Sequence, residues 1–210
     1  IRKEKYVIAV LTEGLPVDPT ERKMKEAALF SEQGDDVDKL SLAQKHRANV
    51  TMGVKKYCVL DKCLKGRKLL LSVHEMKNLP KEKRDALKAA DYKVLTGYAA
   101  ARDAAALVNG EETLNNIFDI IEKSGWHTAP NGYAANVIRP VKSVLNMHDN
   151  DPQVVKAIIE IFEPLNPTTF FADALSKYHG RRPAEYLTMH LEKEVANRLG
   201  IQPLYTGGDL

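Results

Sequence analysis

The chain has 210 residues, of which 44% are hydrophobic and 28% charged, and its formal net charge is +3. This length and apolar content suffice for one sizeable hydrophobic core or two small ones. The longest apolar runs, such as residues 68–73 and 154–162, are far shorter than the roughly 18 apolar residues of a membrane-spanning helix. The sequence therefore predicts no helical membrane span and no membrane partner.

Local patterns for metal binding or catalysis are missing from the sequence. Cys58 and Cys63 lack CxxC spacing, so we expect two reduced thiols, as is usual in the cytoplasm. The six histidines form no HExxH or HxH pattern, and no GxSxG, GxxxxGK[ST] or GxGxxG motif occurs. We expect no metal and no cofactor, and a non-catalytic role is favoured over an enzyme with a nonlocal site.

The charges are unevenly distributed along the chain. Residues 1–54 carry 9 basic and 9 acidic groups, residues 55–93 carry 12 and 5, and residues 94–210 carry 10 and 14. A concentrated basic stretch is typical of a surface that binds phosphate groups. A solvated, lysine-rich helix face is the alternative explanation.

The first predicted element is a β-strand at residues 5–11 (KYVIAVL), which is β-branched and is followed by Gly14 and Pro16. A single strand cannot satisfy its own backbone groups, so this one must pair with another strand. We therefore expect residues 1–17 to be a strand and turn that end a missing N-terminal domain.

Helical signals dominate the rest of the chain. Asp18, Asp151 and Asn166 each precede a proline, which predicts a helix N-cap followed by proline at the first helical position. Apolar residues recur on one face within 114–121, 154–162 and 187–199, as expected of helices that pack on a core. The predicted helices span 19–33, 42–52, 55–65, 68–77, 80–95, 98–108, 111–124, 136–147, 152–163, 167–179 and 183–199.

These elements predict a mainly α fold, a multi-helix bundle with one N-terminal β-strand. After the strand and turn we expect a basic helical region over residues 18–110 and a C-terminal helical bundle over 111–210.

Residues 40–66 have the outline of a helix-turn-helix, in which Gly53 lies in the turn. An ordinary helical hairpin is the alternative. Arg, Asn and Gln, which read base edges, are sparse in the second helix, so its lysines point to phosphate contacts. The predicted phosphate-binding residues are Lys55, Lys56, Lys62, Lys65, Arg67 and Lys68.

A second basic patch is predicted in the turn 177–182 (KYHGRR). Arg181 and Arg182 precede Pro183 at a helix start, where guanidinium and backbone N–H groups could together hold a phosphate or a carboxylate. An exposed basic turn without a ligand is the alternative.

Two stretches of the sequence resemble parts of one protein family. The strand KYVIAVL, the helix ending EAALFSEQ and the phrase KLSLAQKHRANVTMG are similar to the segment after the family's nucleotide-binding box. DIIEKSGWHTAPN and NVIRPVKSVLNMH resemble the helix, Gly-aromatic turn and helix of its helical tail. The family that these motifs resemble is that of ParB-like proteins (ParB/sulfiredoxin superfamily) of phages and mobile elements. The resemblance spans residues 5–66 and 115–200, and implies a helical C-terminal portion of such a protein.

The family's Gly-x-His-Arg or Gly-Glu-Arg-Arg box has no counterpart before the strand. The HGRR at 179–182 lies between predicted helices rather than after a strand, so its nucleotide-binding or nuclease role is not carried over.

We therefore expect a nucleic-acid-associated helical module of ParB-like type that binds the phosphate backbone, with DNA favoured over RNA and no implied sequence readout. The alternative is a structural or assembly protein, such as a viral or scaffold component. In that case the basic middle of one copy would meet the acidic half of the next in a homo-oligomer.

Overall fold

The structure of the protein, a computed structural model, describes residues 14, 16–32, 41–71, 80–178 and 182–205. Within these ranges the fold is mainly α-helical, as predicted, and the predicted strand at 5–11 lies outside them. The elements are α1 Pro19–Glu32, α2 Leu42–Thr51, α3 Lys55–Leu64, β1 Leu69–Leu70, α4 Lys81–Ala89, β2 Lys93–Val94, α5 Tyr98–Ala105, α6 Gly110–Lys123, a 3-10 turn Trp126–Thr128, α7 Ala135–Met147, α8 Pro152–Phe162, α9 Pro167–Lys177 and α10 Pro183–Leu199.

The three predicted helix N-caps are confirmed. Asp18 Oδ1 accepts hydrogen bonds from the backbone N–H groups of Thr20 and Glu21, at 2.8 and 2.9 Å. Asp151 accepts from the second residue after it at 2.7 Å, and Asn166 accepts from the third residue after it at 3.0 Å. Each cap satisfies backbone donors that the first helical turn leaves without partners.

The predicted helices over 68–77 and 80–95 are wrong at two places. Leu69–Leu70 and Lys93–Val94 form two short parallel strands, in which the Lys93 and Leu95 N–H groups donate to the Lys68 and Leu70 carbonyls, each at 2.8 Å. A short apolar run fits a strand and a helix equally well, and only its distant partner decides between them. The helix α4 lies in the connection between these strands.

The chain divides into two compact units, Ile1–Val54 and Lys55–Leu210. In the first unit, α1 packs against α2. In the second, α3 and α5 pack on each other and on α6. The sequence-based division placed a boundary near residue 110, whereas these contacts join the helices on both sides of that position.

The core of the second unit is built mainly from α5 to α10, and α3 adds Leu60 and Cys63. The apolar faces predicted within 114–121, 154–162 and 187–199 point into this core. Their residues Ile117, Phe118, Ile158, Leu187 and Leu191 are fully buried. The long helix α10 packs along both α7 and α8. Among the residues that the structure describes, no helix has both the length and the apolar character needed to cross a bilayer.

Trp126 joins the turn after α6 to α8. Its ring stacks on Phe162 with centroids 3.7 Å apart and planes 6° from parallel. The indole Nε1–H donates to the carbonyls of Phe162 and Leu165, at 2.8 and 2.9 Å. Trp126 is only 2% exposed, so both its apolar body and its polar end are satisfied inside the core.

Replacing Trp126 by Phe should lower the free energy of unfolding by about 1–3 kcal/mol, because two carbonyl groups lose their buried donor. Urea unfolding followed by circular dichroism measures this loss. Leu175→Ala is the control, since Leu175 is 49% exposed and a surface change of this kind alters stability by about 0.5 kcal/mol or less. Equal midpoints for the two variants would contradict the assigned role of Trp126.

Candidate nucleic-acid interface

Helix α3 is fixed to the second unit by one apolar face. Leu60 and Cys63 lie three residues apart and are both buried, and the helix packs on α5 and α6. Burial raises the pKa of the Cys63 thiol to about 11, so this group stays protonated near neutral pH. With this face covered, the lysines of α3 are left on its other sides.

Two of the predicted phosphate-binding residues are held by carboxylates of α6. Arg67 Nη2 lies 2.6 Å from Asp119 Oδ1 and its Nη1 lies 2.5 Å from Glu122 Oε2. The Arg67 side chain is only 16% exposed, and its guanidinium stacks over Phe118 at 5.3 Å from the ring centroid. Lys62 Nζ lies 2.6 Å from Glu111 Oε1, where both side chains face solvent.

Arg67 is thus a positioning residue for the turn between α3 and β1. Its Nε–H also donates to the Cys63 carbonyl at 3.2 Å, which closes the end of α3. Its charge is balanced by two carboxylates, so little of it is available to an external phosphate.

The other predicted cations on this side of the unit are more accessible. Lys55 and Lys68 are exposed and form no ion pair with any residue that the structure describes. Lys56 Nζ lies 5.5 Å from the centroid of the Tyr57 ring, and Lys65 Nζ lies 3.6 Å from Asp61 Oδ2. Both contacts are long and open to solvent, so an external anion can replace them.

A groove of about 430 Å³ begins beside Lys55 and runs to the start of α6. Glu111 and Glu112 also line it, so this side of Lys55 carries opposing charges. The groove is therefore a poor site for an anion.

Helix α4 adds cations that the predicted site did not include. It buries none of its residues, and its only half-buried side chains are Arg84 and Leu87. In the described part of the chain, no side chain of α4 takes part in an ion pair. Its basic residues are Lys81, Lys83, Arg84 and Lys88, against two acidic ones. The sequence did indicate these cations, because residues 55–93 carry 12 basic and 5 acidic groups.

The strand pair places Lys68 beside Lys93 at the base of α4. Lys93 Nζ lies 2.6 Å from Asp91 Oδ1. The hydrogen bond from Lys93 lowers the pKa of Asp91, and the charges of Lys68 and His127 act in the same direction. Lys93 thus pairs with this carboxylate, whereas Lys68 contributes a positive charge that no described ion pair neutralises.

The second predicted patch is described only in part, because Arg181 lies outside the described residues. Arg182 occupies the N-cap position of α10, and its side chain is 88% exposed. Its Nε lies 4.0 Å from Glu185 Oε1, a contact too long and too exposed to neutralise it.

The structure brings His190 and Asp173 together from the two helices on either side of this patch. His190 Nε2 lies 3.0 Å from Asp173 Oδ2, and the imidazole packs 5.0 Å from the Phe170 ring. Burial, aided by the charge of Lys177, lowers the pKa of His190 despite the nearby carboxylates. In the described ranges, His, Cys, Asp and Glu form no group of three or more that could hold a metal ion.

No protein-family model, no curated protein and no solved structure matches the chain.

Replacing Arg67 by Lys should destabilise the second unit by about 2 kcal/mol, because one ammonium group cannot bridge Asp119 and Glu122 as a guanidinium does. Urea unfolding measures the change. Lys62→Ala is the control, because its ion pair with Glu111 is exposed to solvent and contributes little to stability. If Arg67→Lys and this control lost the same unfolding free energy, the ion pairs of Arg67 would not be what stabilises the turn between α3 and β1.

Stability should decrease as the pH falls below about 6.5, the usual pKa of histidine. There the unfolded chain protonates His190 while the folded chain resists protonation, so the unfolded state binds more protons and gains stability. Urea unfolding at pH 7 and pH 5.5 should show a smaller loss for His190→Gln than for the wild type. Equal losses would show that His190 does not contribute to the pH dependence.

Proposed function

We propose that the chain binds nucleic acid through the phosphate backbone, with α4, Lys68 and the first turn of α3 as the contact surface. The observation that carries this proposal is α4 itself. It presents three exposed lysines and the half-buried Arg84, buries no residue and forms no ion pair within the described part of the chain.

The charges of α4 favour a polyanionic partner on energetic grounds. Arg84 and Lys88 lie one helical turn apart, and like charges at this spacing destabilise a helix by a few tenths of a kcal/mol. A row of phosphates would remove this repulsion and release the counterions that the phosphates hold. An exposed, basic helix is therefore stabilised by the partner that it recruits.

The side chains favour backbone contacts over base reading. The exposed cations of this surface are lysines, which act as point charges, whereas Arg84 is half buried and the neighbouring Arg67 is held in ion pairs. Reading of base edges relies on Arg, Asn and Gln at groove-facing positions. We therefore expect binding without sequence preference, to DNA in the first instance.

Binding can be measured by fluorescence anisotropy with a labelled DNA duplex of about 24 base pairs at several salt concentrations. The wild type should bind, and its affinity should decrease steeply between roughly 50 and 200 mM salt. The Lys81→Glu/Lys88→Glu variant should bind at least about tenfold more weakly. The salt slope, which is the decrease of log affinity per unit of log salt concentration, should be smaller by about 2, since each phosphate contact contributes about 0.9.

The matched control is Lys156→Glu/Lys193→Glu, which changes the net charge equally on α8 and α10. Both lysines are exposed and lie outside the basic segment. Equal weakening in both variants would mean that only net charge matters and would contradict the assigned surface. Absence of salt-dependent binding by the wild type, together with self-association at low salt, would favour the assembly protein instead.

A further inference from the structure

A second group of cations lies around a cleft of about 180 Å³ between α5, α7 and α10. The cleft is lined by Ala100, Asp103, Arg139, Lys142, Ser143, Ala184 and Thr188. Arg139 and Lys142 come from α7, a helix outside the basic segment of the sequence.

The cleft has an excess of positive charge. Arg139 is exposed and Lys142 is partly exposed, and neither forms an ion pair with a residue in the described ranges. Asp103 is the acidic residue of the lining, and Arg102 Nη2 holds its Oδ1 at 3.0 Å. The carboxylate is thus already partnered, whereas the two cations of α7 are free to bind an anion.

One end of the cleft is connected to α3 through Arg102. Arg102 interacts electrostatically with Tyr57 of α3, and Lys56 Nζ lies over the same tyrosine ring at 5.5 Å from its centroid. Helix α5, which carries Arg102, packs against both α3 and α7. Lys56, Arg102 and the two cations of the cleft therefore follow one another across neighbouring helices.

The other end of the cleft reaches the start of α10. Ala184 belongs to its lining, and Arg182, two residues earlier, is 88% exposed. Residues of α5 and α7 thus lie between the basic patch predicted at 55–68 and Arg182, the described residue of the second predicted patch.

We propose that Lys56, Arg102, Arg139, Lys142 and Arg182 form one continuous basic track that holds the backbone of an extended nucleic acid. This proposal rests on the proposed function and specifies the path of the ligand. Helix axes in contact lie about 8–10 Å apart, so the three steps from α3 to α10 span on the order of 25 Å. A duplex rises about 3.4 Å per base pair along its axis, so this length corresponds to about seven base pairs.

The residue types suit this path. The Arg139 guanidinium can hold two oxygens of one phosphate, Lys142 supplies a point charge, and the Ser143 hydroxyl can donate a hydrogen bond. The Asp103 carboxylate remains bound to Arg102 and limits how deeply a phosphate can enter. The track is therefore a shallow surface for a backbone and not a closed pocket for a free anion.

The first test is the salt dependence of binding of the 24-base-pair duplex by Arg139→Ala/Lys142→Ala. Its salt slope should be smaller than that of the wild type by about 2. Arg139→Lys/Lys142→Arg keeps both charges and should retain the wild-type slope. The control Lys193→Ala/Arg198→Ala removes one lysine and one arginine of α10 outside the track, and should also leave the slope unchanged.

The second test needs no variant. Lysine acetylation of the free protein and of its complex, read by mass spectrometry, should show protection of Lys56 and Lys142 and none of Lys156 and Lys193. Protection of Lys81 and Lys88 without Lys142, together with an unchanged slope for Arg139→Ala/Lys142→Ala, would overturn the track and leave the proposed function intact. A wild type that binds no duplex would overturn both.

Discussion

The bridge from Arg67 to Asp119 and Glu122 is the interaction on which the basic side of the second unit depends. It fixes the turn at the end of α3, and the chain enters β1 two residues later. The pairing of β1 with β2 then sets both ends of the connection that contains α4. Because α4 buries none of its residues, its position relies on this anchorage rather than on a hydrophobic face of its own.

The same bridge separates structural charges from accessible ones. Burial of a guanidinium is unfavourable unless its charge is balanced, and two carboxylates of α6 together with the Phe118 ring provide that balance. These carboxylates are consequently occupied and do not neutralise Lys68 or α4. The basic surface keeps its charge even though an acidic helix lies nearby in the fold.

Several acidic groups of the C-terminal half are also occupied within the unit. Glu160 binds Arg198 at 2.7 Å, and Asp173 binds Lys177 at 2.8 Å. Glu192 is fully buried and accepts hydrogen bonds from His148 and from the Leu204 backbone. The sequence suggested that this half could meet the basic middle of another copy, but much of its acidic charge already has an internal partner. This distribution supports a nucleic-acid partner over self-assembly.

What the sequence determined by itself is local: the helices at 110–123, 135–147, 152–162, 167–177 and 183–199, and their N-caps at Asp151 and Asn166. Periodicity and capping depend on residues within one or two turns, so they can be read in order along the chain. The strand pair, the partners of Arg67 and the cleft of Arg139 and Lys142 were decided only by the tertiary structure. Each depends on residues more than 20 positions apart, and a linear pattern holds no information on which of them meet.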